Sequence, residues 1–182
     1  MGICLANIKQ GCCDASLSNF TIISADELDK KNPTCDKVIE CSDRYILVEE
    51  KSIFIGFLHE CCNELGKDFD SYKYGDGNEN LDIEGLLELV HTLPKEKKEM
   101  LLSKKITNLL LSSLAKVSNT TAILCNEAEY DSSKTRGMST FYLYCNPATS
   151  IDRIMYLWLS RYKKNIFIEC QSLKAKLEKE CA

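Results

Sequence analysis

Two short apolar runs, separated by a polar turn and ending in a cluster of charges, constrain this chain more than any other feature. The stretch reads Cys35-Asp36-Lys37-Val38-Ile39, then Cys41-Ser42-Asp43-Arg44, then Tyr45-Ile46-Leu47-Val48-Glu49-Glu50-Lys51. β-branched and aromatic residues on both sides of a polar turn predict an antiparallel hairpin over 38–41 and 45–50. Side chains alternate faces along a strand, so Glu49 and Lys51 share one face and Glu50 takes the other. Pairing the two strands brings Asp36 to the same end of the sheet. Two carboxylates and an ammonium are then crowded together, which is costly unless a cation or an anionic substrate sits among them.

The pattern of Asp36 followed by Glu49-Glu50-Lys51 resembles the PD-(D/E)xK nuclease superfamily, which includes restriction endonucleases and Holliday-junction resolvases. Thr34-Cys35 stands where the family name places a proline, a residue commonly absent among its members. The resemblance covers 20–58 and beyond that only the order of elements. It implies a restriction-endonuclease-like αβββαβ core: an α/β fold with a mixed central sheet flanked by helices. It also implies that Asp36 and Glu49 hold Mg2+ or Mn2+, with the backbone carbonyl of Glu50 completing the ligand set. Lys51 would then orient the attacking water and stabilise negative charge as DNA phosphodiesters are hydrolysed. Asp36, Glu49 and Lys51 are thus the expected catalytic residues, and Asp36, Glu49 and Glu50 the expected metal ligands. A helix-borne acid often assists in this family, but Asp26 and Glu27 follow the first strand instead of preceding it.

Acid-x-Lys occurs at two further places, Asp29-Lys30-Lys31 and Glu96-Lys97-Lys98, neither of which closes an apolar strand. The plainer alternative is that Glu49 and Lys51 are a solvated pair at a strand end, worth little. Two other functions compete with the nuclease reading. One is a catalytically degenerate nuclease-like fold acting as a protein or nucleic-acid interaction module. The other is a cysteine-based redox or metal protein.

The 182 residues fit a single domain with a sizeable core, with a helical hairpin inserted over about 78–118. That hairpin is read as helices over 81–91 and 94–116. Other expected elements are a helix over 3–10, a strand over 20–23 and a helix over 52–65 stopped by Gly66. Further on come strands over 122–125 and 140–145, a helix over 149–163, a strand or helical end over 165–170 and a terminal helix over 171–180. Tyr142 and Tyr144 alternate on one strand and could stack bases, although half-buried core is the commoner role. His59 and Glu60 follow the lysine strand on a helix, with His59 read as a surface residue.

Eleven cysteines contain no Cys-x-x-Cys, and Cys12-Cys13 and Cys61-Cys62 are adjacent. With Cys170 and Cys181 standing alone, an iron–sulfur cluster of the kind known in some of these nucleases is not expected. The thiols are read as reduced and mostly buried in a cytoplasmic chain that lacks a signal sequence or membrane span. The net charge of −4 is divided unevenly: residues 1–93 carry 18 acids and 8 bases, and residues 94–182 carry 9 acids and 15 bases. The acidic half holds the metal candidates, while the basic half offers Lys95, Lys97, Lys98, Lys104, Lys105, Lys163 and Lys164 as phosphate contacts. A DNA partner and self-association as a homodimer complete the expectations.

Overall fold

The hairpin forms the centre of a five-stranded mixed sheet in the computed structural model, which describes residues 3–4, 17–28, 32–51, 53–77, 80–144, 167–169 and 172–182. The strands are β2 (Thr21–Ser24), β3 (Lys37–Glu40), β4 (Tyr45–Lys51), β7 (Ser139–Tyr144) and β8 (Phe167–Glu169), adjacent in that order. β2, β3 and β4 pair antiparallel, whereas β4–β7 and β7–β8 pair parallel. Parallel neighbours need a crossover, and the chain between β4 and β7 supplies one made of helices. A separate small antiparallel sheet joins β1 (Ile3–Cys4), β6 (Asn80–Leu81) and β5 (Lys73–Tyr74).

Strand alternation sorts β4 onto two cores. Ile46 and Val48 pack with Leu17, Phe141, Leu143 and Ile168, and with Leu173 and Leu177 of α5 (Leu173–Glu180). Tyr45 and Leu47 face the other way, toward Leu124 and Val117 of α4 (Lys95–Asn126). Helices therefore cover both faces of the sheet. The preceding turn of helix, α1 (Ala25–Leu28), is closed by Glu27, which accepts the Ser24 N–H at 2.9 Å.

A third core lies at the C-terminal end of β4. Phe54, Phe57, Leu58 and Cys61 of α2 (Ile53–Glu64) pack against Leu86 and Val90 of α3 (Ile83–His91), and against Leu101, Leu102 and Ile106 of α4. α2 ends as the sequence predicts, at Gly66. There φ is +63°, and Lys67 N–H bonds Cys62 C=O at 2.9 Å while Gly66 N–H bonds Asn63 C=O at 3.1 Å. This is the left-handed helix stop that glycine tolerates best. Asp82 caps α3 by accepting the Gly85 N–H at 3.0 Å.

Several expectations are corrected. Residues 122–125 are the last turn of α4 and not a strand, and the helix expected to stop at 116 runs on to Asn126. The hairpin α3–α4 therefore extends past the expected boundary at 118. Tertiary contacts hold the helix through this stretch, with Thr120 and Asn119 bonded to Cys35 and Pro33, while Ser113 and Thr121 satisfy their hydroxyls on the Leu109 and Val117 carbonyls at 2.8 Å. Ile3 and Cys4 form a strand where a helix over 3–10 was expected. The remainder of that segment, the helix over 149–163 and half of 165–170 lie outside the described residues, although Phe167–Glu169 is strand. The thiols are not all reduced, because Cys41 and Cys181 are joined as a disulfide that ties the hairpin turn to the end of α5. Among the described residues no helix is long and apolar enough to cross a membrane.

Candidate functional site

Register places the charges. Lys37 pairs with Val48, so one step further along the ladder Asp36 comes level with Glu49. On the other side, Glu49 pairs with Tyr142 of β7. Glu49 is fully buried, and its Oε2 lies 2.7 Å from Lys51 Nζ, a side chain only 12% exposed. Asp36 is fixed by its Oδ2, which accepts the backbone N–H of Glu50 at 2.7 Å. The Glu50 side chain lies on the opposite face, 2.8 Å from Lys37 Nζ, as alternation requires.

The residue that ties the two acids together is one that sequence reasoning missed. Lys116 Nζ, from α4, donates to Asp36 Oδ1 at 3.1 Å and to Glu49 Oε2 at 3.3 Å. It lies equally close, 3.3 Å, to Glu49 Oε1, but that atom has no hydrogen-bond partner despite being buried. Burial disfavours the Lys116 ammonium, yet the charges of Asp36 and Glu49 outweigh it and hold its pKa above the ordinary lysine value.

Two contacts fix the helix that carries Lys116. One turn further on, Thr120 Oγ1 accepts the Cys35 N–H at 2.8 Å, and beside it Asn119 Nδ2 donates to Pro33 C=O at 3.0 Å. The same segment that delivers Asp36 is therefore clamped to α4. A signal was available in the sequence: Ser113, Lys116 and Thr120 are polar positions at helical spacing, and a helix that buries such a row needs polar partners opposite it.

The other candidates lie elsewhere. Glu27 caps α1, as described above, and Asp26 is in the same turn. His59 sits against Phe69 with ring centroids 5.3 Å apart and lies 3.1 Å from the Asn63 amide. Glu60 faces Lys104 at 3.4 Å. Tyr142 is buried beside Phe167, and burial, with Glu49 and Cys35 nearby, raises its phenol pKa. That burial removes it as a stacking platform. The side chain of Tyr144 lies outside the described residues. Of the candidate phosphate lysines, Lys97 pairs with Glu64 at 2.7 Å and Lys95 stands 4.0 Å from Glu99, as solvated helix faces do.

Cys35 lines the cluster. Burial pushes its thiol up from 9.0 to about 12, with Thr120 opposing and Glu49 adding to the shift. Burial does the same to Cys61, also to about 12. Above pH 9.0 an unfolded chain releases these protons while the folded one keeps them. Stability conferred by the buried thiols is thus complete below that pH and falls as pH rises toward about 12. Urea unfolding midpoints across this window should decline accordingly. Alkylation of the native chain should label exposed Cys125 and spare Cys35, Cys61 and Cys62 until denaturant is added.

The donor set is hard oxygen: one fully buried carboxylate with an unsatisfied oxygen, and one half-exposed carboxylate beside it. No group of three or more His, Cys, Asp or Glu converges among the described residues. Two carboxylates suit Mg2+, which keeps several waters and usually takes one or two protein carboxylates, better than they suit zinc. In comparisons with known proteins, no family model, curated protein or solved structure matches the chain.

Proposed function

We propose that the cluster at the end of β4 is a divalent-metal site for hydrolysing DNA phosphodiester bonds, in the manner of PD-(D/E)xK nucleases. The observation that carries this reading is that Asp36 and the fully buried Glu49 share one ammonium, Lys116, at 3.1 and 3.3 Å, while Lys51 contacts Glu49 Oε2 at 2.7 Å. The sheet supports it as well. Antiparallel β2–β3–β4 followed by β7, parallel to β4 across helices, is a mixed α/β arrangement compatible with a restriction-endonuclease-like core. Fold alone does not specify function, so the weight rests on the site.

In this reading Asp36 and Glu49 hold Mg2+ or Mn2+, with the Glu50 carbonyl as a third oxygen donor. When bound, the ion supplies Lewis-acid polarisation of the phosphate and a more acidic water. The chain's own residues do the rest. The N–H of Glu50 orients Asp36, β4 and β7 keep Glu49 dry, and Lys51 offers an ammonium for a water or a phosphate oxygen. Electrostatic focusing is local here, because the whole chain is acidic.

The direct test is incubation with linear, circular, branched and single-stranded DNA in Mg2+ or Mn2+. Metal-dependent cleavage of at least one form, abolished by EDTA, is the expected result. Failure on every form, together with no calorimetric metal binding at millimolar concentration, would leave an interaction module on the same scaffold as the better reading.

A further inference from the structure

Lys116 occupies the position between the two carboxylates that a cation must take. Lys51 already neutralises Glu49 Oε2 at 2.7 Å, so Lys116 is not the sole compensation for that buried charge. It is the group that couples Glu49 to Asp36. Its side chain is 29% exposed, whereas that of Lys51 is 12% exposed. A lysine head on a flexible four-carbon stem can leave toward solvent without moving the backbone. The backbone is fixed separately, by the Thr120–Cys35 and Asn119–Pro33 contacts. Lys116 Nζ stands 3.3 Å from both Glu49 oxygens, against 2.7 Å for Lys51 to Oε2, so it is the more loosely held of the two ammonium groups.

We propose that Lys116 is a tethered cation that keeps Asp36 and Glu49 assembled in the ion-free state and competes with the divalent ion for them. This deepens the metal-site reading above and rests on it. Lys116 is then a positioning residue whose departure sets the threshold concentration at which the ion binds. The ammonium contacts must be broken before the ion can enter, and this cost outweighs any reorganisation that holding the carboxylates near each other saves.

The test is Mn2+ titration of the full chain by calorimetry and by electron paramagnetic resonance, comparing wild type with Lys116→Met, Lys116→Gln, Lys116→Arg and Asp36→Asn. Removing a competitor that makes charge-assisted hydrogen bonds should tighten Mn2+ binding by about tenfold or more in Lys116→Met and Lys116→Gln. Lys116→Arg keeps the cation and should not tighten it, and Asp36→Asn should abolish it. Melting in EDTA adds a readout independent of activity: Lys116→Met should melt lower than wild type and gain more from added Mn2+. A purely structural lysine would give the opposite sign, weaker Mn2+ binding on removal. Unchanged or weaker binding in Lys116→Met and Lys116→Gln, with Asp36→Asn still abolishing it, overturns the role of Lys116 and leaves the metal site standing. Absence of binding in wild type and in all Lys116 variants overturns both.

Discussion

Replacing Lys51 by alanine is expected to slow metal-dependent DNA cleavage by about 10²–10³-fold without weakening metal binding, because it removes a cation and not a ligand from beside Glu49. The magnitude is that of removing one preorganised electrostatic partner of a developing oxyanion in a water-poor site. Lys51 lies on the same strand face as Glu49 and contacts it at 2.7 Å, which places its ammonium beside the carboxylates without making it a ligand. The split between catalysis and metal binding is the informative part. A structural lysine would take both down together through misfolding, whereas a group acting on water or phosphate lowers turnover without weakening metal binding. Single-turnover cleavage and Mn2+ titration of the same preparation measure the two quantities. Undiminished cleavage in Lys51→Ala would remove the catalytic assignment.

The second large effect concerns stability. Glu49 is fully buried with two ammonium groups against it, and Glu49→Ala deletes the carboxylate that pairs with the nearly buried Lys51 and leaves Lys116 with Asp36 alone. Breaking a buried charge arrangement by removing one member typically costs about 3–5 kcal/mol. For a chain of this size that lowers the melting temperature by roughly 6–20 °C. Replacing Glu49, Lys51 and Lys116 together by Leu, Met and Met should recover that loss and exceed wild type by about 1–4 kcal/mol, because apolar residues of similar volume carry no desolvation cost. Thermal and urea denaturation of the three proteins checks this. A triple variant more stable than wild type but inert toward DNA is the signature of charges retained for chemistry at the expense of stability. A triple variant less stable than Glu49→Ala would mean that the cluster holds the fold together.

The strand periodicity of 37–51 was strong enough to be read without coordinates. Val38 and Ile39 against Tyr45 to Val48 admit one antiparallel register, and a one-residue slip would bury Glu50 in place of Glu49. Asp36, Glu49 and Lys51 could therefore be placed on one face from alternation alone. Lys116 could not. Its position depends on α4 continuing through Ser118, Asn119, Thr120 and Thr121, residues whose local preferences favour a break. Tertiary contacts reverse those preferences: Thr120 and Asn119 bond Cys35 and Pro33 across more than eighty residues of sequence. The apolar run at 122–125 was misread for the same reason, since Ala, Ile, Leu and Cys over four residues fit a buried helix turn as well as a strand. The Cys41–Cys181 bond has a sequence separation of 140, and no spacing rule reaches that far.

The 32-residue length of α4 has a consequence for the charge cluster. One uninterrupted rod buries Leu101, Leu102 and Ile106 near its start and presents Lys116 more than two turns later. A one-residue screw displacement of that rod would translate the ammonium by about 1.5 Å and rotate it by about 100°, enough to withdraw it from both acids. The Thr120–Cys35 and Asn119–Pro33 hydrogen bonds pin the rod against that displacement, so the contacts that deliver Asp36 also keep the ammonium in place.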